Sequence, residues 1–234
     1  MPRLSKRKKT FTSLVQKGKV YSLKDAIHIL KETPKVKFDE SIEVSLKLDV
    51  DPKQTDQMVR GTVSLPHGTG KKIRVACFCK EDQQENAKKA GADIVGGTDL
   101  VERVKKGEID FDVAISTPNM MKDVGTLGKI LGPRGLMPNP KAGTVTEDIG
   151  RAVREIKKGR IEFKMDKQAD IHLVIGKLSF EETALTENFL TFYDSLLKAR
   201  PASAKGQYIR GVALSSTMGP GVQLDLSTLK KETK

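Results

Sequence analysis

Apolar positions recur along this chain with two different spacings, and the changes of spacing divide it. In SLKDAIHILKET, from Ser22 to Thr33, Leu23, Ile27 and Leu30 share one face and Ser22 stands in capping-box relation to Asp25, which predicts an amphipathic helix. Val44, Leu46 and Leu48 then alternate with polar neighbours over Glu43–Asp49, and Met58–Leu65 follows as a second strand. This is antiparallel, half-buried patterning.

After Leu65-Pro66-His67-Gly68-Thr69-Gly70 the pattern becomes strand-helix alternation. Lys72–Phe78 reads as a nearly continuous apolar strand, Glu81–Ala90 as a helix, Asp93–Gly96 as a strand, Leu100–Lys106 as a helix and Val113–Thr117 as a strand. Such a series implies a parallel sheet with right-handed crossovers. Past Lys157-Lys158-Gly159 the alternation returns in Arg160–Met165 and Ile171–Ile175. A helix follows, with Ser179 and Glu182 at capping-box spacing and Leu185, Phe189, Phe192 and Leu196 as its stripe, then strands at Gln207–Leu214 and Val222–Leu226. The expectation is a discontinuous antiparallel α+β domain from residues 1–66 and 160–234, with a parallel α/β domain of residues 67–159 inserted into it. Two crossings at one Gly/Lys-rich seam would make a hinge.

Gly125–Val145 breaks every periodicity: GTLGKILGPRGLMPNPKAGTV has five glycines, three prolines, three cations and no acid. It predicts a loop displaying backbone groups and positive charge, either an anion-facing surface or a connector whose glycines serve turns.

Charge sharpens the picture. The 234 residues carry a net charge of +12, and residues 1–19 contribute seven cations, Arg3, Lys6, Arg7, Lys8 and Lys9 among them, without an acid. That run predicts a flexible arm attracted to phosphates without sequence preference. No apolar run is long enough to span a bilayer, and the expected location is the cytoplasm. Cys77 and Cys79 fall on one face of a strand and read as a buried, reduced pair rather than a metal site.

Enzyme motifs fail on inspection. Gly68-Thr69-Gly70-Lys71 is not a phosphate loop, since Leu65 stands at the first glycine position and Lys72 at the magnesium-binding hydroxyl position. The first parallel strand runs into Phe78-Cys79-Lys80-Glu81 instead of a Gly-x-Gly-x-x-Gly turn. His28, His67 and His172 stand apart, with no catalytic constellation, and neither a metal nor a cofactor is expected.

Three clusters fit nucleic acid better. Lys35 and Lys37 lie just before Phe38, a ring that either stacks on a base or belongs to the core. Arg160, Lys164 and Lys167 lie on and after one strand, as a phosphate surface or a solvated face. Ser215-Ser216-Thr217-Met218-Gly219-Pro220-Gly221 gives hydroxyls, a thioether and close backbone approach, suited to a ribose edge or to an ordinary hairpin.

The motifs Lys37-Phe38-Asp39-Glu40, Val59 to Gly68 (VRGTVSLPHG), Gly91-Ala92-Asp93, Val95-Gly96-Gly97, Ile130 to Lys141 (ILGPRGLMPNPK), Gly159-Arg160-Ile161-Glu162-Phe163 and Thr217-Met218-Gly219-Pro220 occur here in order. In them the whole chain resembles the bacterial-type family of large-subunit ribosomal protein number one, the lateral-stalk protein. The resemblance implies a non-enzymatic protein, monomeric within the ribosome, whose inserted domain is Rossmann-like but does no nucleotide chemistry. It implies direct binding of large-subunit ribosomal RNA, a mobile stalk that acts on transfer RNA leaving the exit site, and repression of its own operon through the messenger RNA. Carried over by motif, the RNA contacts are Lys37, Phe38, Glu40, Arg60, Lys164, Asp166, Lys167, His172, Thr217, Met218 and Gly219. Lys164-Met165-Asp166 departs from the family's pattern.

Overall fold

In chain order, the computed structural model builds α1 (Lys6–Leu14), α2 (Leu23–Glu32), β1 (Ser41–Leu48) and β2 (Arg60–Ser64) before the change of pattern. It continues with β3 (Val75–Phe78), α3 (Glu81–Lys89), β4 (Ile94–Gly96), α4 (Thr98–Lys105), β5 (Val113–Ser116), α5 (Met121–Gly125), α6 (Gly128–Leu131) and α7 (Ile149–Lys157). Last come β6 (Arg160–Lys164), β7 (Asp170–Lys177), α8 (Glu182–Lys198), β8 (Ile209–Ser216), β9 (Gly221–Gln223) and α9 (Leu226–Glu232). The structure describes residues 6–232 except 17, 35 and 205. Arg3 and Lys35, singled out above, lie outside the described residues. Two compact units result, one from both ends of the chain up to Gly70 and from Ile161 onward, the other from Lys71–Arg160.

The discontinuous unit holds a four-stranded sheet in the order β7-β1-β8-β9 and a two-stranded ribbon of β2 and β6. β1 is antiparallel to both neighbours, with Ser45 opposite His172 on one side and Ala213 on the other. Its alternation decides which face is wet: Ile42, Val44, Leu46 and Leu48 are buried with α2 and α8, whereas Glu43 and Lys47 are exposed. Gly61 lies against the Phe163 ring, where a Cβ would approach Cζ to 2.6 Å, so the ribbon packs tightly. Asn188, fully buried on α8, accepts the His67 N–H and donates to the Gly68 and Ile175 carbonyls, which satisfies three backbone groups with one side chain.

Four expectations for local structure need correction. Lys6–Leu14 is a helix where charge alone predicts a flexible arm, and on it Arg7 stacks over Phe11 and meets Glu40. Ser179 does not cap α8: Asp39 takes both its N–H and its hydroxyl, and Glu181 stands at the cap. Leu226 opens α9 instead of ending a strand. Within Gly125–Val145, Gly128–Leu131 is helical, since burying Leu127 and Leu131 outweighs the local glycine content. Gly135 and Gly143 adopt φ of +70° and +67°, backbone that glycine supplies without strain.

The other unit centres on a parallel sheet in the order β4-β3-β5. All four residues of β3 are buried. Ala76 and Phe78 face one apolar cluster with α4, α5 and α6; Val75 and Cys77, with Cys79 beyond them, face another with α3 and α7. Both thiols are free and buried, and burial, reinforced by Cys79, pushes the Cys77 thiol up to about 12.

Three carboxylates brace this unit. Asp93 accepts the Val75 N–H and pairs with Lys157, and Asp112 accepts the Arg74 N–H and pairs with Lys71. Glu155 pairs with Arg151 and Arg160. In each case these partners hold the carboxyl below its ordinary value, 3.8 for the aspartates. A depressed folded pKa contributes stability that is complete above the unfolded value and lost as pH falls through the folded one. Acid should therefore destabilise this unit below about pH 4. Urea unfolding followed by circular dichroism at several pH values checks this, and Asp93→Asn should flatten the acid limb by removing one linked proton.

Candidate nucleic-acid interface

The open face of the four-stranded sheet carries functional groups at both ends of β1. At one end the chain enters through Lys37, Phe38 and Asp39, all exposed, with Phe38 54% accessible. Ser41 joins this entry to the β8–β9 turn: its N–H donates to Thr217 Oγ1 at 3.0 Å and its carbonyl accepts the Thr217 N–H at 3.0 Å. Met218 then projects from the turn, 53% accessible. The structure thus brings together Lys37, Phe38, Thr217, Met218 and Gly219 from positions about 180 residues apart.

Glu40, expected among the RNA contacts, is only 1% exposed and lies beneath that surface. Its Oε2 accepts the Ser216 hydroxyl at 2.6 Å and the Met218 N–H at 2.9 Å, and its Oε1 meets Arg7 Nη2 at 3.3 Å. A carboxylate buried at this depth requires such partners, because stripping its hydration without replacement costs several kcal/mol. In this structure Glu40 shapes that surface from beneath. Gly219 follows from the same arrangement, since its N–H donates to the Ser216 carbonyl and an added Cβ would collide with Ser216 Oγ.

The opposite end of β1 is closed by residues 165–170. Asp166 Oδ1 accepts the N–H groups of Gln168 and Asp170, both at 2.8 Å, which turns the chain back into β7. The Asp170 amide first, then that of Gln168, holds the Asp166 carboxyl below its ordinary range against a partial desolvation. Ala169 occupies φ of +63°, with its carbonyl taken by the Leu48 N–H and its methyl buried. Lys164, Asp166 and Lys167 are exposed around this bend, and His172 lies on the open face with Nδ1 3.0 Å from Ser45 Oγ. Asp166, Asp170 and His172 have ligand atoms within 4.8 Å of one another. Those groups already serve backbone amides, Lys47 and Ser45, so the cluster is structurally accounted for.

Arg60 lies on the separate ribbon, where it is bonded to Glu162. The eleven expected residues therefore do not form one patch. Two groups lie at the ends of β1, separated by about 20 Å at ~3.3 Å per residue, with His172 between them and Arg60 engaged elsewhere. Arg7, Asp39 and Ser216, which organise the first group, were not among the expected residues. Strand parity carried a signal for Ser216, whose position continues the inward series Val212, Leu214.

In the inserted unit, the carboxyl ends of the parallel strands are where open α/β sheets ordinarily take ligands. A cleft of about 470 Å³ there is lined by Cys79, Lys80, Glu81, Asp82, Asp99 and Asp123 among others. Four carboxylates against one lysine in that group disfavour a nucleotide's phosphates.

Comparison with known proteins gives a consistent result. A family model described as the Ribosomal protein L1p/L10e family matches residues 30–220. A protein named large ribosomal subunit protein uL1 from Lactobacillus delbrueckii subsp. bulgaricus is 53% identical over 225 residues, covering 96% of this chain and 97% of its own. Proteins of the same name from Thermosipho melanesiensis and Burkholderia cenocepacia are 51% and 52% identical, each covering 98% of this chain and 99% of its own.

The bend at 165–170 gives a direct test of site rigidity. Asp166→Ala should raise amide hydrogen exchange at Gln168 and Asp170 by about tenfold or more as local opening becomes easier. Asp166→Asn, which keeps an acceptor oxygen, should change it less. NMR-detected exchange on the folded chain measures both.

Proposed function

The chain belongs to the Ribosomal protein L1p/L10e family, and we propose that this structural, non-enzymatic ribosomal protein binds large-subunit ribosomal RNA directly through the open face of its discontinuous unit. The observation that carries the proposal is the exposure of Phe38 and Met218 on two segments that hydrogen bonds from Ser41 to Thr217 and from Met218 to the buried Glu40 hold beside each other. Two large apolar side chains exposed at the same end of one sheet face offer area that a base or ribose against the ring or thioether would bury. Lys37, Lys164 and Lys167 would neutralise phosphates, while Thr217, Met218 and Gly219 read shape and His172 lies on the path between the two ends.

A separation of about 20 Å along β1 suits a folded RNA that contacts both ends of one face better than a single nucleotide. The six cations of residues 1–19 other than Arg7 would add attraction to phosphates that salt weakens. Glu40 and Arg60 enter this mechanism differently from the other residues: Glu40 shapes the turn, and Arg60 reaches RNA only by exchanging Glu162 for a phosphate.

The wider role we propose is that of the large subunit's mobile stalk, acting on transfer RNA at the exit site, with no cofactor. The same face would take the protein's own operon messenger RNA where that RNA presents the ribosomal site's shape, so the two RNAs would compete and free protein would repress its own translation. Family membership supports this extension.

Met218→Asp should weaken binding of a stalk-base ribosomal RNA fragment by about 10–100-fold, because it sets a carboxylate against the RNA and removes a contact of base-stacking magnitude. Phe38→Ala should cost about 1–3 kcal/mol. Filter binding at fixed salt measures both, and an unchanged affinity in Met218→Asp would remove the β8–β9 turn from the site. The operon leader RNA should lose affinity in parallel.

A further inference from the structure

Helix α1 has no buried residue, yet Arg7 reaches from it to a buried carboxylate of the same unit. Its Nη2 lies 3.3 Å from Glu40 Oε1, its guanidinium carbon lies 5.2 Å from the centroid of the Phe11 ring one turn later, and its Nε is buried without a hydrogen-bond partner. A guanidinium that sought phosphates would keep its donors in solvent. This one accepts an unsatisfied N–H in order to meet a buried carboxylate.

That carboxylate has a second task. Through Oε2, Glu40 fixes both the Ser216 hydroxyl and the Met218 N–H, the two groups that define the β8–β9 turn. Among the described residues Arg7 is the cation that meets Glu40. We infer that Arg7 is a positioning residue of the RNA site: it supplies the counter-charge that lets Glu40 stay buried and hold the Met218 turn, so the basic helix acts on RNA binding through the shape of the turn. The inference rests on the RNA-binding reading above, but its structural half is independent of any RNA.

Without Arg7, Glu40 retains a buried negative charge without its counter-ion, and it can recover hydration only by leaving Ser216 and Met218. Glutamine at position 40 needs no counter-charge and still offers a carbonyl oxygen to both donors. The decisive comparison is therefore Arg7→Ala against the double variant Arg7→Ala/Glu40→Gln, with Arg7→Lys as the conservative control. All are made in the full chain, with circular dichroism confirming the fold.

In the absence of RNA, hydrogen exchange at the Met218 amide should accelerate about tenfold or more in Arg7→Ala. It should return toward the wild-type rate in the double variant and change least in Arg7→Lys. Filter binding of a stalk-base ribosomal RNA fragment across a salt series should show about tenfold weaker binding for Arg7→Ala, with the slope of log affinity against log salt unchanged and affinity restored by Glu40→Gln. If Arg7 instead touches a phosphate, the slope falls in magnitude by about 0.7–0.9 and the double variant stays weak, which overturns the inference. Unchanged Met218 exchange in Arg7→Ala overturns it as well. A wild-type chain that fails to bind the fragment overturns the RNA-binding reading, and the exchange data then separate that failure from failure of the Arg7–Glu40 coupling.

Discussion

A carboxylate placed in a dry interior must be fully partnered or it will not stay there. Glu40 meets that condition with groups from two distant parts of the sequence: Arg7 before it, and Ser216 and Met218 almost at the other end of the chain. Its backbone takes part as well, since its carbonyl accepts the Leu178 N–H at the end of β7. One residue just before β1 thereby ties together the first helix and the turn that presents Met218 through its side chain, and the chain leaving β7 through its backbone.

That arrangement explains why exposed apolar side chains occur where they do. Met218 lies on backbone held by Glu40, and Phe38 comes three residues before Ser41, which pairs with Thr217 in the same turn. Ordering entropy is then spent during folding instead of on contact with a partner. The far end of β1 follows the same logic with smaller means: Asp166 collects two amides, and Ala169 is held in a left-handed conformation by Leu48. Neither end gains its shape from the regular ladder alone.

The periodicities revealed most of the elements, because burial on one face leaves a mark at every second or every third and fourth residue. α7 was legible and missed: Ile149, Ala152, Val153 and Ile156 have helical spacing behind Asp148, which caps the helix by accepting the Arg151 N–H. Glu40 and Ser216 were legible in part, since each continues an inward strand parity, Ile42 to Leu48 in one case and Val212 and Leu214 in the other. Reading them as buried requires trusting parity over polarity. Nothing local shows that Asp39 would take Ser179 from a helix cap 140 residues later, or that Arg7 would turn inward while Lys6 and Lys9 stay exposed. Those pairings depend on which strand ends meet, and tertiary proximity leaves no periodic trace. The glycine-rich stretch misled for the complementary reason: its composition is a local property, whereas Leu127, Leu131, Leu136 and Met137 answer to a core assembled elsewhere.

The crowding at Gly219 carries a consequence for how this turn can change over generations. Position 219 lacks room for a methyl group because of the Ser216 hydroxyl, and that hydroxyl is oriented by Glu40. A larger residue at 219 must displace the Ser216 hydroxyl, and a displaced or absent hydroxyl deprives Glu40 of one donor. Replacements at the three positions are therefore coupled through one hydroxyl.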